Sequence, residues 1–176
     1  MKKLLIVVDM QKDFVDGALG FDGAEKVIPG IRKRIDEYLS NGDIVVYTLD
    51  THHGDYMETQ EGSNLPVPHC IEGSEGYELV PELSDVLLGC RAFKKPTFGS
   101  LDLGNYIDSI KEDLESIELC GLVSNICVLS NAVVAKAAAP EAVIIVDTAL
   151  TAAFDPKLGE DLWGILQGIQ IRVIKH

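Results

Sequence analysis

Three residues of this chain are of types that do covalent chemistry together: Asp9, Lys95 and Cys127. A carboxylate beside a thiol can take its proton. A lysine beside both holds the carboxylate ionised and favours the thiolate. Each of the three follows an apolar run of strand length. Asp9 ends LLIVV, Lys95 comes just after the run Val86–Ala92, and Cys127 stands in the first turn of an alanine-rich stretch that follows IELCG. A thiol in a first helical turn also faces the unpaired N–H groups and the positive end of the helix dipole. Singly, each residue has a duller reading: Asp9 as a turn or cap, Lys94–Lys95 as a solvated pair, Cys127 as a buried structural thiol. What sets them apart is a common place at the carboxyl ends of different strands. In a parallel sheet those ends share one edge, where open α/β folds bind ligands.

A second group has the types of metal ligands. Asp50 and His52 lie two apart at the end of another apolar run, and such positions in extended chain point to one side. His69, preceded by Pro66 and Pro68, comes later in the same loop. One carboxylate and two imidazoles, completed by water, make an open site for a divalent ion. Two loop histidines taken alone are better read as solvated. Glu61 is available as an additional ligand, whereas His53 and Cys70 point the wrong way if the backbone stays extended.

The elements that must position these residues alternate. Strands are expected at Lys3–Val8, Asp43–Leu49, Val86–Ala92, Ile117–Gly121, Ala142–Val146 and Ile169–Ile174. Helices are expected at Val27–Leu39, Leu103–Leu114, from Asn125 to about residue 139, and at Pro156–Leu166. Residues 10–24 and 51–78 read as loops, the second long enough to suggest function. Within it, Cys70 to Tyr77 reads as a glycine-rich turn without chemistry of its own. Such alternation predicts an α/β fold: three layers, with a doubly wound, mainly parallel six-stranded sheet covered by helices on both faces.

Composition bounds the rest. With 176 residues, 47% of them hydrophobic, the chain suffices for one domain over 1–176 with a sizeable core. A net charge of −13 argues against nucleic acid or an anionic membrane as partner. No apolar run reaches membrane-span length. The opening KKLLIVV is too short for a signal peptide and is interrupted at Asp9, so a cytoplasmic protein is expected. Cys70, Cys90, Cys120 and Cys127 form no CxxC pair and read as reduced thiols.

The segments VVDMQKDF, KKPTFGS and GLVSNICV together resemble the isochorismatase-like cysteine hydrolases, a family that includes nicotinamidases. The resemblance extends over essentially the whole chain and implies a Rossmann-like doubly wound sheet. It implies a catalytic triad of Asp9, Lys95 and Cys127, with Lys95 preferred to Lys94 because Pro96 and Phe98 then match the family spacing. It implies an oxyanion hole from the amides of Val123 and Cys127, with a cis peptide between Leu122 and Val123. The pairing of D-T-H with P-H-C resembles the nicotinamidase branch, which implies a metal on Asp50, His52 and His69, zinc first and iron or manganese as alternatives. The expected substrate is a small carboxamide, nicotinamide above all, cleaved through a Cys127 thioester. Alternatives are another small amide, isochorismate, or a silent binding protein of the same fold; a homo-oligomer is compatible with all of these. Substrate contacts are expected from Phe14, which is equally a core residue, and from Gln11 and Leu65. The chain departs from the family where an aromatic residue usually precedes the proline–histidine segment. Leu65, Pro66 or Val67 stands there, with Tyr56 as a substitute from farther back. Tyr106 reads as ordinary packing.

Overall fold

Lys2–Val8 forms strand β1, and Leu4, Leu5, Ile6, Val7 and Val8 are each 0% exposed. A strand of that kind needs apolar cover on both faces and a neighbour on each edge. The computed structural model, which describes residues 1–176, supplies both. After β1 the chain runs through α1 (Lys12–Val15), α2 (Ile28–Ser40), β2 (Ile44–Asp50), α3 (Gln60–Asn64), α4 (Pro81–Ser84) and β3 (Arg91–Lys95). It continues with α5 (Leu101–Ile110), β4 (Leu114–Leu122), α6 (Leu129–Ala138), β5 (Val143–Ala152), α7 (Pro156–Gly168) and β6 (Arg172–Ile174). The six strands lie in the order β3-β2-β1-β4-β5-β6 and every pair is parallel. The doubly wound sheet expected from the sequence is the one that forms. Its winding reverses between β1 and β4, the crevice where such sheets take ligands.

The period-two alternation of a strand divides β1 between two cores. Leu4, Ile6 and Val8 pack with Leu103 and Ile107 of α5, Ala132 and Ala135 of α6, and Leu162 and Leu166 of α7. Leu5 and Val7 pack on the other face with Ile31 and Ile35 of α2 and Leu83 of α4. Away from the crevice, Arg34 of α2 pairs with the buried Glu118 of β4 and with Asp147 of β5. No helix is long and apolar enough to cross a membrane.

Several expected boundaries are corrected. The run Val86–Ala92 is not the third strand; β3 is Arg91–Lys95. The preceding segment opens as α4 with Pro81 in its first turn, and Leu83 and Leu87 are buried four apart. A short apolar run fits a helical turn as well as a strand, and Pro81 favours the turn. Lys95 is therefore the last residue of β3 rather than part of the following loop. Helix α5 stops at Ile110, and β5 extends to Ala152 instead of ending at Val146. The last strand begins at Arg172, because α7 reaches Gly168 and Ile169–Ile171 turn back from it. The long loops contain α1, α3 and a 3-10 turn at Tyr56–Glu58.

At the crevice, β4 passes so close to β1 that only glycine fits. Gly121 pairs with Val8 and has φ +111°; a Cβ there would lie 2.1 Å from the Val8 carbonyl oxygen and 2.7 Å from its nitrogen. Both the contact and the positive φ exclude a side chain. Gly121→Ala should therefore lose roughly 3 kcal/mol or more of stability in urea unfolding. A loss below about 0.5 kcal/mol, the range of an indifferent surface change, would show that the two strands do not meet this closely.

Candidate active site

The carboxyl ends of β1, β3 and β4 converge on one buried group. Asp9 follows β1 with φ +47° and is 0% exposed. Thr48 of β2 fixes it twice: the Asp9 N–H donates to Thr48 Oγ1 at 3.2 Å, and that hydroxyl donates to Asp9 Oδ1 at 2.6 Å. Lys95 is in register with Asp50 across β2 and β3, so their side chains leave the sheet together. Lys95 Nζ lies 2.7 Å from Asp9 Oδ2, 3.1 Å from Asp50 Oδ1 and 3.5 Å from Cys127 Sγ. Beyond β4, the Leu122–Val123 peptide is cis and Ser124–Val128 form a π-helical turn that leads into α6. The Val123 carbonyl closes this turn by accepting from the N–H groups of Ile126 and Val128, each at 3.1 Å. Asn131 anchors it from α6, its Nδ2 donating to the carbonyls of Cys127 at 2.8 Å and Phe98 at 3.0 Å.

Burial and charge set the protonation of this group. Burial raises the Asp9 carboxyl above its ordinary range, against the pull of the Lys95 ammonium. For Lys95, burial acts downward, yet the charges of Asp9 and Asp50 outweigh it and keep the amine protonated. Burial also raises the Cys127 thiol well above its usual value, and the nearby Asp9 charge adds to this. This corrects the expectation of a thiolate favoured by helix position and lysine. At 4% exposure, desolvation dominates, and the resting sulfur keeps its proton until a neighbour takes it.

Next to the lysine is a cluster of metal-ligating types. Ligand atoms of Asp50, His52, Glu61 and His69 all lie within 4.8 Å of one another. Asp50 Oδ2 is 3.2 Å from His52 Nε2 and 3.3 Å from His69 Nε2; Glu61 Oε1 is 3.5 Å and 3.8 Å from the same two nitrogens. Two features fit a cation here. Glu61 Oε2 is buried without a hydrogen-bond partner. His69 Nδ1 lies 2.8 Å from the Val67 carbonyl, and a proton donated there leaves Nε2 free to ligate. The Asp50 carboxyl lies below its ordinary range: burial raises it, but hydrogen bonds from His52 and His69 and the charge of Lys95 prevail.

Of the expected substrate contacts, Phe14 is 4% exposed and meets the His69 ring edge-on at 5.7 Å, so it belongs both to the core and to the wall beside the cluster. Gln11 is a correction. Its side chain is fully buried and engaged with backbone, Nε2 donating to the carbonyls of Asp50 and Tyr77 and Oε1 accepting from the Asp50 N–H. It braces the site instead of facing a substrate. Leu65 is 37% exposed, and its carbonyl accepts from Tyr56 Oη at 2.8 Å. Tyr56 is 1% exposed and packs edge-on against His52 at 4.8 Å and His69 at 5.1 Å, so it buttresses the cluster and forms no outer wall. His53 points out to Glu72, Cys70 is buried with its N–H on Asp13 Oδ2, and Tyr106 packs on Phe93.

Thr48 and Asn131 were not singled out from the sequence, although Asn131 carried a signal: a polar residue on an apolar helix, four after Cys127. A cavity of about 380 Å³ opens beside the cluster, lined among others by His52, Tyr56, Glu61 and Phe98. A wider surface cleft, about 910 Å³, lies elsewhere, between Lys12 and Glu82, and contains none of these groups.

His52→Ala and His69→Ala should each abolish stoichiometric metal binding in elemental analysis. Tyr56→Leu, which removes no ligand atom, should weaken metal affinity about tenfold by freeing both rings. Unchanged metal content in both histidine variants would refute the ligand set.

Comparison with known proteins places the chain in a family. The Isochorismatase domain matches residues 3–174. The isochorismatase family protein PncA of Bacillus subtilis is 34% identical over 149 residues, 76% of this chain and 78% of that protein. The crystal structure of the nicotinamidase/pyrazinamidase PncA from Bacillus subtilis superposes with a TM-score of 0.87 at 28% identity, over 99% of this chain and 100% of that one. Pyrazinamidase of Pyrococcus horikoshii in complex with zinc shares the fold, with a TM-score of 0.85 at 22% identity over the full length of both chains. The chain thus belongs to the isochorismatase family, on the side of it that resembles nicotinamidases.

Proposed function

We propose that this protein, as a single domain over residues 1–176, hydrolyses a small carboxamide, with nicotinamide converted to nicotinate and ammonia. The observation that carries the reading is Lys95 Nζ standing within 3.5 Å of Cys127 Sγ while paired with both Asp9 and Asp50. One ammonium thereby connects a nucleophile, a base and a cluster of metal-ligating groups.

In this reaction Asp9 takes the proton of Cys127 as the sulfur bonds to the amide carbon. A carboxyl raised by burial is suited both to accept that proton and to return it. The oxyanion is received by the N–H groups of Val123 and Cys127 in the turn after β4. When the C–N bond breaks, Asp9 gives its proton to the leaving nitrogen, and ammonia departs from a Cys127 thioester. Water then adds to the thioester, Asp9 accepts its proton, the C–S bond breaks, and the sulfur regains a proton. The sum is amide plus water giving acid plus ammonia. Asp50, His52, Glu61 and His69 would hold a divalent ion, zinc first and iron or manganese as alternatives, which supplies Lewis-acid contact for a ring nitrogen. Phe14 provides one face for the ring.

A second reading, a small aliphatic amide, is favoured by one observation. Tyr56 is turned onto the histidines, which leaves Leu65, Pro66 and Val67 as the side chains opposite. Losing one stacking face weakens ring binding by about 1 kcal/mol.

Ammonia release decides between the two. Nicotinamide should be turned over faster than a panel of aliphatic amides; equal or slower turnover would refute the nicotinamide assignment and leave the amide chemistry standing. Cys127→Ala should lower kcat at least about a thousandfold, and Asp9→Asn about a hundredfold or more. Substantial activity in pure Cys127→Ala would refute the covalent route.

A further inference from the structure

The pairing of β1 with β2 stops at Val7 and Tyr47. Two residues on, Asp9 turns out of the strand with φ +47°, a left-handed conformation that few residues with a side chain adopt. At this point a side chain takes over from the ladder. Thr48 of β2 is fully buried, and its single hydroxyl serves both the backbone and the carboxyl of Asp9.

The direction of these two hydrogen bonds is fixed by chemistry. A backbone N–H can only donate, so the Asp9 N–H, at 3.2 Å, takes a lone pair of Thr48 Oγ1. The hydroxyl proton is then directed to Asp9 Oδ1 at 2.6 Å. This engages Oδ1 and sets the plane of the carboxyl. Oδ2 faces Lys95 Nζ at 2.7 Å, and Lys95 in turn meets Cys127 Sγ at 3.5 Å. The two oxygens are thus unequal. One is tied back to β2, and the other stands on the side of the sulfur.

We propose that Thr48 is a positioning residue that reserves Asp9 Oδ2 as the oxygen exchanging a proton with Cys127. The proton leaving the thiol goes to Oδ2, while Oδ1 keeps the Thr48 hydrogen bond. Without the hydroxyl the carboxyl is free to turn about its Cβ–Cγ bond, and the N–H of the left-handed residue loses its acceptor. Proton transfer depends on such placement, because base and proton must meet at hydrogen-bond distance. The inference rests on the reading of Asp9 as the base for Cys127.

Two variants separate the hydroxyl from packing. Thr48→Val keeps the shape and removes the hydroxyl; Thr48→Ser keeps the hydroxyl and removes a methyl. Ammonia release is measured on the amide that the wild type turns over fastest, per folded molecule. Thr48→Val should lower kcat about tenfold to a hundredfold, with KM within about twofold and metal content unchanged. Thr48→Ser should stay within about threefold of the wild type. A residue that served packing alone would give the opposite order.

Alkylation of Cys127 by iodoacetamide, located by peptide mass mapping, makes the same comparison without an amide substrate. Thr48→Val should react about tenfold more slowly than the wild type, and Thr48→Ser about as fast as the wild type. If that order holds in a protein that releases no ammonia from any amide, the amide chemistry is overturned and the role of Thr48 stands. If Thr48→Val does not fold, Thr48→Cys, a weak donor of similar size, decides by the same measurements. Wild-type kcat and alkylation in Thr48→Val, a loss that Thr48→Ser shares, or a loss in proportion to bound metal would overturn the proposal.

Discussion

The Lys95 ammonium is the constraint around which the crevice is built. It is 1% exposed, and a buried cation without partners would lose its proton or unfold its surroundings. Asp9 and Asp50 prevent this from opposite sides at 2.7 and 3.1 Å. Removing both carboxylates would leave a buried charge uncompensated, an effect of about 3–5 kcal/mol in comparable pairs. The ends of β1, β2 and β3 are therefore held together by charge as well as by the sheet ladder.

Asp50 divides its two oxygens between two chemistries. Oδ1 faces Lys95, and Oδ2 faces the two histidines. The backbone beneath it is fixed by Gln11, which spans Asp50 and Tyr77. Tyr56 then packs on both imidazoles while holding Leu65, so the long segment after β2 is ordered by the cluster it covers. Gly62 fits this corner for a steric reason, since a Cβ there would lie 2.0 Å from the Tyr56 carbonyl oxygen.

The thiol shows two opposing effects and which of them prevails. A first-turn position and a nearby lysine lower a thiol pKa, while burial raises it. At 4% exposure burial wins, and Cys127 rests as a thiol next to a carboxyl that is itself raised. Two acids of raised pKa in contact favour proton exchange between them over a standing thiolate. The buried thiol is thereby protected from indiscriminate oxidation, which requires thiolate character and exposure.

The sequence by itself determined the strand–helix alternation, the parallel sheet and the residues at its edge. Periodicity and chemical type are local properties, and LLIVVD, DTH and SNIC state them within a few residues. It did not determine where β3 begins, because the run Val86–Ala92 suits a helical turn as well as a strand, and the choice rests on Leu83 and Leu87 packing against the α2 side of the sheet. Nor did it determine the company each residue keeps. Glu61 stood in the sequence as one optional ligand, and its place beside His52 and His69 depends on how α3 folds back over β2. Gln11 and Tyr56 were open to substrate roles until hydrogen bonds and ring contacts over long sequence separations committed them to bracing. The protonation of Cys127 was decided by the tertiary structure alone, because desolvation depends on everything packed around a group and no neighbouring residue in the chain encodes it.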